Sequence, residues 1–503
     1  MTHRVQVAIG LTAAQEDSRQ TSLFGMGLAL LAAAAAVGLA APVLMLFRLI
    51  PRTYNEGWNA FWADTAMRHG QLYGPAESLV SNNYPPLSFQ IVGLLGHVVG
   101  DNVIAGRIVS LLSLTVVTGA AYLWLRATGS ARQIAFAGAT LCLVTFAFYG
   151  TNYVAMNDPQ LLAHAFMLSA LVVMWRWKFS MPATIAGAAL MLLGGFTKHL
   201  LLPVPLAMTL WLVAYQPRRL PAWLGCFAVG LPLGFWLTSH FYGELFFQDL
   251  LSARLYSAPR AISSTIHTCV RFIPLLALAA IPVVRRMRTR GRASLADRTK
   301  FALLYLVLSI VIGAVAAGGE GVTRNAFFDV LIAASLCAAL GLESLQSSGR
   351  PRQRARAAAA ARIVAFLGIG MAIYATITLP ETIETVRGLD AAEQETRESV
   401  RVIAQLGHGH AACETLALCY WARGGFNVDF FNYGQKMQTG MLPVAECRAA
   451  LQRGTFPVLQ LENDHPPLGK RLWPCTPAID QFYTVAFRSK SVTILVPKPA
   501  STS

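Results

Sequence analysis

Residues 23–59 read LFGMGLALLAAAAAVGLAAPVLMLFRLIPRTYNEGWN, a long apolar run that ends in Pro51 and Arg52 and is followed by one acid, Glu56. The apolar part is long enough to cross a bilayer, so Glu56 is expected at a membrane surface. A second isolated acid, Asp158, lies at the edge of another apolar run. A carboxylate beside the hydrocarbon region is costly unless it is paired or faces water. Two such acids on one side of a many-span protein predict chemistry at the lipid boundary and favour an enzyme over a passive scaffold.

The composition indicates the same class of protein. Apolar residues make up 55% of the chain and charged residues 13%, whereas soluble proteins average about 25% charged residues. Apolar runs of about 20 residues recur between residues 23 and 379, as a polytopic α-helical membrane protein requires. The predicted spans, about eleven in number, cover residues 23–50, 103–125, 133–150, 159–177, 182–198, 200–215, 220–239, 267–285, 300–316, 326–345 and 361–379.

The net charge of +16 belongs wholly to residues 1–379, because the 12 basic and 12 acidic residues of 380–503 cancel. The basic residues cluster in short loops between apolar runs, most densely at 285–300 and 350–362. Lysine and arginine in short loops mark the cytoplasmic side, so the charge predicts topology and not nucleic-acid binding. With the N-terminus inside, an odd number of spans places residues 380–503 outside. The first apolar run is long for a signal peptide and is interpreted as a retained anchor.

The chain divides into two predicted domains. Residues 1–379 form the transmembrane part, with outer loops at 51–102, 240–266 and 317–325. Residues 380–503 are predicted to form a small α/β domain outside the membrane. The elements expected there are one charged helical stretch, Glu381–Leu406, and three strand-like runs, Leu416–Tyr420, Phe456–Leu461 and Ser491–Val496.

Cysteine usage agrees with this topology. Four of the eight cysteines lie in residues 380–503, an even number in a compartment where disulfides form. Cys413 and Cys419 could close a hairpin-sized loop, leaving Cys447 with Cys475, and the spacing resembles no zinc site. The other four are scattered through apolar spans and are interpreted as packing residues: Cys142, Cys226, Cys269 and Cys337.

The outer loop 51–102 contains two helix-like segments. The first shows apolar residues at helical spacing, which predicts a short amphipathic helix lying flat on the membrane. Its apolar members are Trp58, Phe61, Trp62 and Met67. The second segment, 87–99, is apolar but short and interrupted by Gly and His, so it is predicted to be an interfacial helix and not a span.

Two acids and a lysine are the first candidates for chemistry. Glu56 suits a general base for an acceptor hydroxyl, although an acid favoured by the helix dipole in a first turn has the same sequence pattern. Asp158 precedes Pro159 and a span, so Asp158 or Asn157 also fits a helix cap. Lys198 lies where two short apolar runs meet, so its ammonium group either reaches water or neutralises a lipid phosphate.

Three arginines of the outer loops, Arg254, Arg260 and Arg324, have the same two interpretations as Lys198. Basic residues are usually depleted from outer loops by the positive-inside rule. Their presence in these outer loops therefore favours a bound anion. The chain has no Walker loop, no GxGxxG after a strand and no HExxH. Together, two outer acids, several outer cations and an aromatic, proline-rich loop suit a lipid-phosphate substrate.

The order of motifs along residues 23–380 resembles a known family. The motifs are EGWN (56–59), GQLY (70–73), YPPLSF (84–89), AGRI (105–108), NDP (157–159) and GFTK (195–198). In these stretches the chain is similar to the integral-membrane glycosyltransferases of the GT-C class, and most like the branch of bacterial protein-mannosyltransferase-like and lipopolysaccharide sugar transferases. In residues 380–503 the resemblance is weak.

The resemblance implies an inverting transfer of a hexose or pentose from a polyprenyl-phosphate carrier to an envelope acceptor, which is a lipid, a polysaccharide or a protein. It implies a multi-pass protein of the bacterial inner membrane with a cytoplasmic N-terminus and a periplasmic C-terminal domain. Glu56 would take the acceptor's proton, and Asp158 would position the acceptor or hold a divalent metal ion with His199. The donor phosphate would be bound by Lys198, Arg254, Arg260 and Arg324. The residues implied in substrate binding are Trp58, Asn59, Tyr84, His199, Tyr256 and Asn325.

One departure from the family concerns the first loop. Many members carry an Asp or an Asp-Glu pair there, whereas Asn55 precedes Glu56 in this chain. A single carboxylate can serve as a base, but a role that needs two adjacent acids loses one of them. Asp64, one or two helical turns later, is an alternative second acid.

Two functions from other classes remain open. A transporter would place ionisable residues at the midplane and often shows repeated halves, whereas the charges here lie at span ends and no repeat is visible. In a non-catalytic subunit of an envelope complex, Glu56 and Asp158 would be replaceable. The enzyme hypothesis predicts that Glu56→Gln abolishes sugar transfer while leaving expression intact.

Overall fold

The computed structural model describes residues 2–251, 254–288, 295–346, 351–463 and 473–499. Residues 289–294 and 347–350, which include parts of the two predicted basic runs, lie outside the described residues. The helices of the first domain are α1 (Thr2–Leu44), α2 (Tyr54–Met67), α3 (Leu87–Val99), α4 (Asn102–Ala127), α5 (Arg132–Phe148), α6 (Gln160–Arg176), α7 (Met181–Thr197), α8 (Pro203–Tyr215), α9 (Leu220–Tyr242), α10 (Phe246–Leu250), α11 (Ala258–Arg271), α12 (Ile273–Arg288), α13 (Asp297–Ala316), α14 (Phe328–Gln346) and α15 (Pro351–Arg387).

The helices confirm a polytopic α-helical membrane protein. Among the described residues, 6 helices are long and apolar enough to cross a membrane, and α11 with α12, bent by 75° at Phe272, makes a seventh candidate. Four shorter apolar helices, α5, α6, α7 and α8, occupy the positions of the remaining predicted spans. The count of eleven and the inside location of the N-terminus stay predictions.

Helix α14 forms the centre of the bundle. Every residue from Phe328 to Leu342 is buried, which suits a helix that is apolar all round. At the edge of the bundle, α1 and α15 pack closely because small residues face each other. A Cβ on Gly27 would lie 2.7 Å from the backbone of Val364, so only glycine permits this backbone contact.

The C-terminal domain is the predicted small α/β unit. Its elements are α16 (Leu389–Gly407), β1 (Ala411–Cys413), α17 (Leu416–Trp421), α18 (Phe430–Gln438), α19 (Val444–Gln452), β2 (Val458–Glu462), α20 (Ile479–Phe482), β3 (Tyr483–Arg488) and β4 (Val492–Pro497). The sheet order is β1-β2-β4-β3, with β1 parallel to β2 and the other two pairs antiparallel. Helix α15 continues beyond the predicted domain boundary at residue 380 without a break.

One predicted strand is wrong. The run Leu416–Tyr420 lies in helix α17, whereas the runs near residues 456–461 and 491–496 form β2 and β4 as predicted. A short apolar run does not distinguish a buried strand from a buried helix by periodicity. Here Leu416, Ala417, Leu418 and Cys419 are all buried, because α17 is enclosed between the sheet and the first domain.

The cysteines pair as the sequence suggests. The structure contains the disulfides Cys413–Cys419 and Cys447–Cys475. The first connects the end of β1 to α17, so it holds this helix against the sheet. The four cysteines of the first domain are free, and of these Cys142 and Cys337 are buried.

All three predicted outer loops contact the C-terminal domain. The backbone of Leu79 accepts a hydrogen bond from Asp429 N–H, Leu255 N–H donates to Gln435, and Gly321 packs against Phe431. The three loops therefore lie at one end of the bundle, as the predicted topology requires. We call this end the domain end.

Helix α2 does not lie on the membrane as predicted. It lies between the bundle and α17, and its residues Trp58 and Trp62 are buried in protein contacts. A Cβ on Gly57 would come within 2.1 Å of the backbone nitrogen of Ala417, so the two helices touch backbone to backbone. Phe61 stacks on Phe426 of the C-terminal domain at 4.8 Å between ring centroids. The amphipathic pattern correctly predicts a helix, but the apolar face of this helix packs against protein.

Candidate active site

Glu56 lies in the first turn of α2 with no exposed surface. Its two carboxylate oxygens accept hydrogen bonds from Arg107 Nε and Nη2, each at 2.7 Å. The backbone N–H groups of Arg52 and Asn157 also donate to this carboxylate, at 2.9 and 3.3 Å. Glu56 is therefore buried and ion-paired, and both of its carboxylate oxygens are hydrogen-bonded. The catalytic role predicted for it finds no support in these surroundings.

Arg107 is the partner of Glu56, a pairing that the sequence did not predict. It lies within the span α4, is fully buried, and donates to the backbone carbonyls of Met45, Arg48 and Ile50 as well as to Glu56. A buried guanidinium needs all its donors satisfied, and these contacts supply them. An arginine inside an apolar run is itself a signal of a buried partner, and Glu56 is that partner.

Asp158 and Lys198 form a second buried ion pair. Lys198 Nζ lies 3.3 Å from Asp158 Oδ1, and both side chains are almost completely buried. Asp158 Oδ1 also accepts from Gln160 N–H at 2.8 Å, which is the helix-cap geometry that the sequence left open. Among the described residues, the other oxygen, Oδ2, receives only a long contact of 3.4 Å from the Asn55 amide. One carboxylate oxygen of this pair therefore keeps capacity for a further proton or hydrogen bond.

A small cavity adjoins Asp158. It is lined by polar and apolar side chains of α2, α3, α4 and the start of α6, and its volume of about 10 Å³ is that of one water site. Asn59 Oδ1 and Ser88 Oγ, which belong to two of the lining residues, are buried and have no hydrogen-bond partner among the described residues. Buried polar atoms without partners are rare in proteins and suit a bound hydroxyl or water.

Tyr84, His199 and Arg254 lie around Lys198. The ammonium group lies over the ring of Tyr84, 4.7 Å from its centroid. Burial, together with the charges of Lys198 and Arg254, lowers the pKa of His199 to about 4, so this imidazole is neutral at physiological pH. Burial also lowers the pKa of Arg254, whose guanidinium lies over the ring of Phe431 in the C-terminal domain. The structure thus brings together two of the predicted phosphate-binding cations.

Two other predicted cations lie elsewhere. Arg260 forms an ion pair with Glu320 and donates to the carbonyl of Gly318 at 2.9 Å, so its role in phosphate binding stays a prediction. Arg324 is exposed and lies over the ring of Tyr149. Of the four predicted phosphate-binding cations, Lys198 contacts Asp158 directly and Arg254 adjoins His199 beside it.

The predicted substrate-binding residues fall into three groups. Tyr84 and His199 contact or adjoin Lys198, as described above. Trp58 and Asn59 are buried supports, since Trp58 Nε1 donates to Asp429 at 3.0 Å and Asn59 donates to the carbonyl of Asn157 at 2.8 Å. Tyr256 is exposed and pairs with Gly319, while Asn325 accepts from Gln160 through its carbonyl at 3.4 Å.

The alternative of a divalent metal at Asp158 and His199 gains no support from ligand geometry. Across the described ranges, no three His, Cys, Asp or Glu side chains come together in a way that could hold an ion. Asp64, the alternative second acid, is half-buried and accepts from Asn102 at 2.7 Å.

Asp429 connects the C-terminal domain to the site and was missed in the sequence. Its carboxyl group accepts from Tyr54, Trp58 and Asn432, and it is completely buried. Burial raises the pKa of Asp429 to about 7, with hydrogen bonds from Asn432 and the charge of Lys436 acting in the opposite direction. The short sequence Asn-Val-Asp-Phe offers no signal for this role, since it resembles an ordinary helix cap.

Asp429 predicts a pH dependence of stability. Because the pKa is about 7 in the folded protein and 3.8 ordinarily, the folded state binds more protons between these values. The free energy of unfolding should therefore fall as pH rises from about 4 to about 7. We expect Asp429→Asn to flatten this slope, measured as the midpoint of thermal unfolding in detergent from pH 5 to pH 8. Asp480→Asn, at an exposed position, is the control and should keep the slope of the parent protein; an unchanged slope in Asp429→Asn would contradict the assignment.

The fold matches solved structures of membrane proteins. ArnT from Cupriavidus metallidurans in the apo state gives a TM-score of 0.58 at 14% identity, covering 92% of this chain and 96% of that chain. The same protein bound to undecaprenyl phosphate gives 0.57 at 15% identity, covering 95% and 98%. The oligosaccharyltransferase of Archaeoglobus fulgidus, tethered with an acceptor peptide, gives 0.52 at 11% identity, covering 94% and 74%. No protein-family model and no curated protein sequence matches the chain. The chain has the GT-C glycosyltransferase fold, as the motifs indicated.

Proposed function

We propose that this protein transfers a sugar from a polyprenyl-phosphate carrier to an acceptor hydroxyl at the domain end of the bundle. The observation that carries the proposal is the buried pair of Asp158 and Lys198, next to unpartnered polar atoms of Asn59 and Ser88. Two further points support it: the GT-C fold, and the undecaprenyl phosphate bound to a structural neighbour. The location that fits is the bacterial inner membrane, with the domain end on the periplasmic side.

Asp158 is the general base in this proposal, in place of Glu56. Its Oδ2 has only one long contact, whereas both oxygens of Glu56 are occupied by Arg107. Lys198 Nζ lies 3.3 Å from Asp158 Oδ1, so a cation faces this carboxyl group and fixes its orientation. A carboxylate that is ionised and has a free lone pair can take a proton from a hydroxyl within hydrogen-bond reach.

The reaction is a single displacement at the anomeric carbon. The acceptor oxygen forms a bond to this carbon while the bond from the carbon to the donor phosphate oxygen breaks. The proton of the acceptor passes to Asp158 Oδ2, and polyprenyl phosphate leaves as the anion. Lys198 and Arg254 stabilise the charge that develops on the phosphate, which is the kind of preorganised electrostatic contribution that often dominates catalysis. Inversion at the sugar follows from one displacement.

The carbohydrate chemistry can be tested with purified full-length protein in proteoliposomes that contain labelled polyprenyl-phosphate hexose or pentose. We expect donor consumption and release of polyprenyl phosphate when an envelope extract supplies the acceptor. Lys198→Gln should weaken donor binding about tenfold or more, because it removes a charge-assisted contact to phosphate. Lys300→Gln is the matched control, since Lys300 pairs with Asp297 at the start of α13.

Two results would contradict the proposal. Movement of the intact labelled donor across the bilayer without sugar transfer would favour a transporter. Equal donor binding by Lys198→Gln and Lys300→Gln would exclude Lys198 from the donor phosphate site. If, in addition, no sugar is transferred to any acceptor, the protein is better explained as a non-catalytic subunit.

A further inference from the structure

Tyr149, directly after α5, contacts two arginines from different segments. The guanidinium carbon of Arg271, the last residue of α11, lies 5.8 Å from the centroid of the Tyr149 ring. That of Arg324, which begins the turn before α14, lies 5.5 Å from the same centroid. The hydroxyl of Tyr149 is hydrogen-bonded to Thr268 at 2.7 Å, so the ring is held in place for both contacts.

The two arginines have no counter-charge in the described part of the chain. No carboxylate there lies within 4.0 Å of either guanidinium, although most of the other arginines near the site are paired. Both side chains are exposed. Two exposed guanidinium groups beside one ring can both donate hydrogen bonds to an anion that lies between them. The arrangement therefore favours a bound anion.

The surroundings place this anion at the depth of lipid headgroups. Helix α11 exposes Ile262, Ile266 and Val270, which are spaced by four residues and form one apolar face. A helix with such a face and a polar opposite side lies in the membrane interface. Arg271 ends this helix, where the chain bends by 75° into α12. The charge of the pair is thus presented beside lipid, and not to open water.

The pair is also connected to Asp158. Thr323, next to Arg324, is hydrogen-bonded to Tyr153 at 2.8 Å. On the other side of Arg324, Asn325 accepts from Gln160 at 3.4 Å, and the N–H of Gln160 donates to Asp158. One short turn therefore carries Arg324 and contacts the residues that flank the proposed base. Lys198 and Arg254 form a separate cation group with different contacts, namely Tyr84, His199 and Phe431.

We propose that Arg271 and Arg324 bind the phosphate group of a membrane lipid, and that this lipid is the sugar acceptor. The inference rests on the proposed transferase function and names the class of its acceptor: an amphiphile with a phosphate at headgroup depth and a free hydroxyl. Arginine suits this role because its planar fork donates two parallel hydrogen bonds to a phosphate. The phosphate would fix the lipid so that its hydroxyl reaches Asp158, while Lys198 and Arg254 hold the donor.

Binding of two lipids that differ only in the phosphate tests the site without turnover. Purified full-length protein in detergent is titrated with phosphatidic acid or with diacylglycerol and analysed by native mass spectrometry. We expect the Arg271→Gln/Arg324→Gln variant to bind phosphatidic acid at least about tenfold more weakly than the parent protein, with diacylglycerol binding unchanged. The Arg271→Lys/Arg324→Lys variant should recover part of the affinity, because it keeps the charge and loses the fork.

Polyprenyl phosphate distinguishes the acceptor site from the donor site. Its binding should survive in the double glutamine variant and fall in Lys198→Gln. Equal binding of phosphatidic acid by the parent and the double variant would overturn the inference, and so would loss of polyprenyl phosphate binding in the double variant, which would assign the arginines to the donor. Because the readout is binding, a lipid site can be present even where sugar transfer is not found, so the two proposals can fail separately.

Discussion

Asp158→Asn should lower the rate of sugar transfer by about 100- to 10,000-fold, the range expected for loss of a positioned general base. Asparagine has nearly the same shape, and its Oδ1 can still accept from Gln160 N–H, but it cannot take a proton. The loss should therefore appear in kcat, measured as labelled product per enzyme at saturating donor. Donor KM should change less than kcat, since Lys198 and Arg254 both stay in place in this variant.

Asp64→Asn is the matched control for this variant. Asp64 is an acid of helix α2, it accepts from Asn102, and it is the alternative second acid that the sequence left open in the first outer loop. We expect Asp64→Asn to retain transfer close to that of the parent protein. Asp158→Asn also leaves Lys198 without its partner, so the amount of folded protein is measured for each variant. Near-normal kcat for Asp158→Asn, with folded protein at the parent's level, would exclude Asp158 as the base.

Glu56→Gln should destabilise the protein by about 3–5 kcal/mol, because it removes one member of a buried ion pair and leaves the Arg107 guanidinium without compensation. This expectation differs from the one that the sequence alone suggested, which was loss of transfer with normal expression. The measurement is the yield of monodisperse protein together with the midpoint of thermal unfolding in detergent. Arg107→Met should destabilise the protein by a similar amount, because it leaves the buried Glu56 carboxylate without its positively charged partner.

A double variant separates structure from chemistry at this position. Glu56→Gln/Arg107→Met removes both charges, and we expect it to be more stable than the sum of the two single effects predicts. If the double variant folds and transfers sugar, Glu56 is a structural residue. Asp390→Asn is the control for a surface ion pair, because Asp390 contacts Arg48 at 2.7 Å with a highly exposed side chain, and its midpoint should stay unchanged. A folded, fully stable Glu56→Gln variant without activity would restore the base role to Glu56.

Much of the architecture follows from the sequence because burial in a membrane leaves a strong pattern. The apolar runs predicted the membrane helices, the balance of cysteines predicted two disulfides, and the motifs around Glu56 and Asp158 predicted the GT-C fold. Each of these signals can be recognised within a short stretch of sequence or by counting residues along the chain. The pairing of Asp158 with Lys198 is harder to predict, because the two residues are far apart in sequence. Each of them is nevertheless recognisable as a charged residue at the end of an apolar run.

The sequence does not show which of Asn55 and Glu56 contacts Arg107 and which faces Asp158. Neighbouring residues on a helix point about 100° apart, so one of the two contacts Arg107 while the other faces Asp158. Which residue takes which direction depends on how α2 packs against α4 and α6, and this is tertiary information. The same limit explains why α17 was interpreted as a strand and why Asp429 was missed. Their environments are created by contacts between segments several hundred residues apart in the chain.

The contact between Gly57 and Ala417 has a consequence for biogenesis. Gly57, near the beginning of the chain, acquires its final neighbour only after the ribosome has passed helix α17, which ends at Trp421. Until then the helix that carries Asn55 and Glu56 lacks one of the two surfaces that enclose it. The packing around helix α2 is therefore completed only after the C-terminal domain has been synthesised.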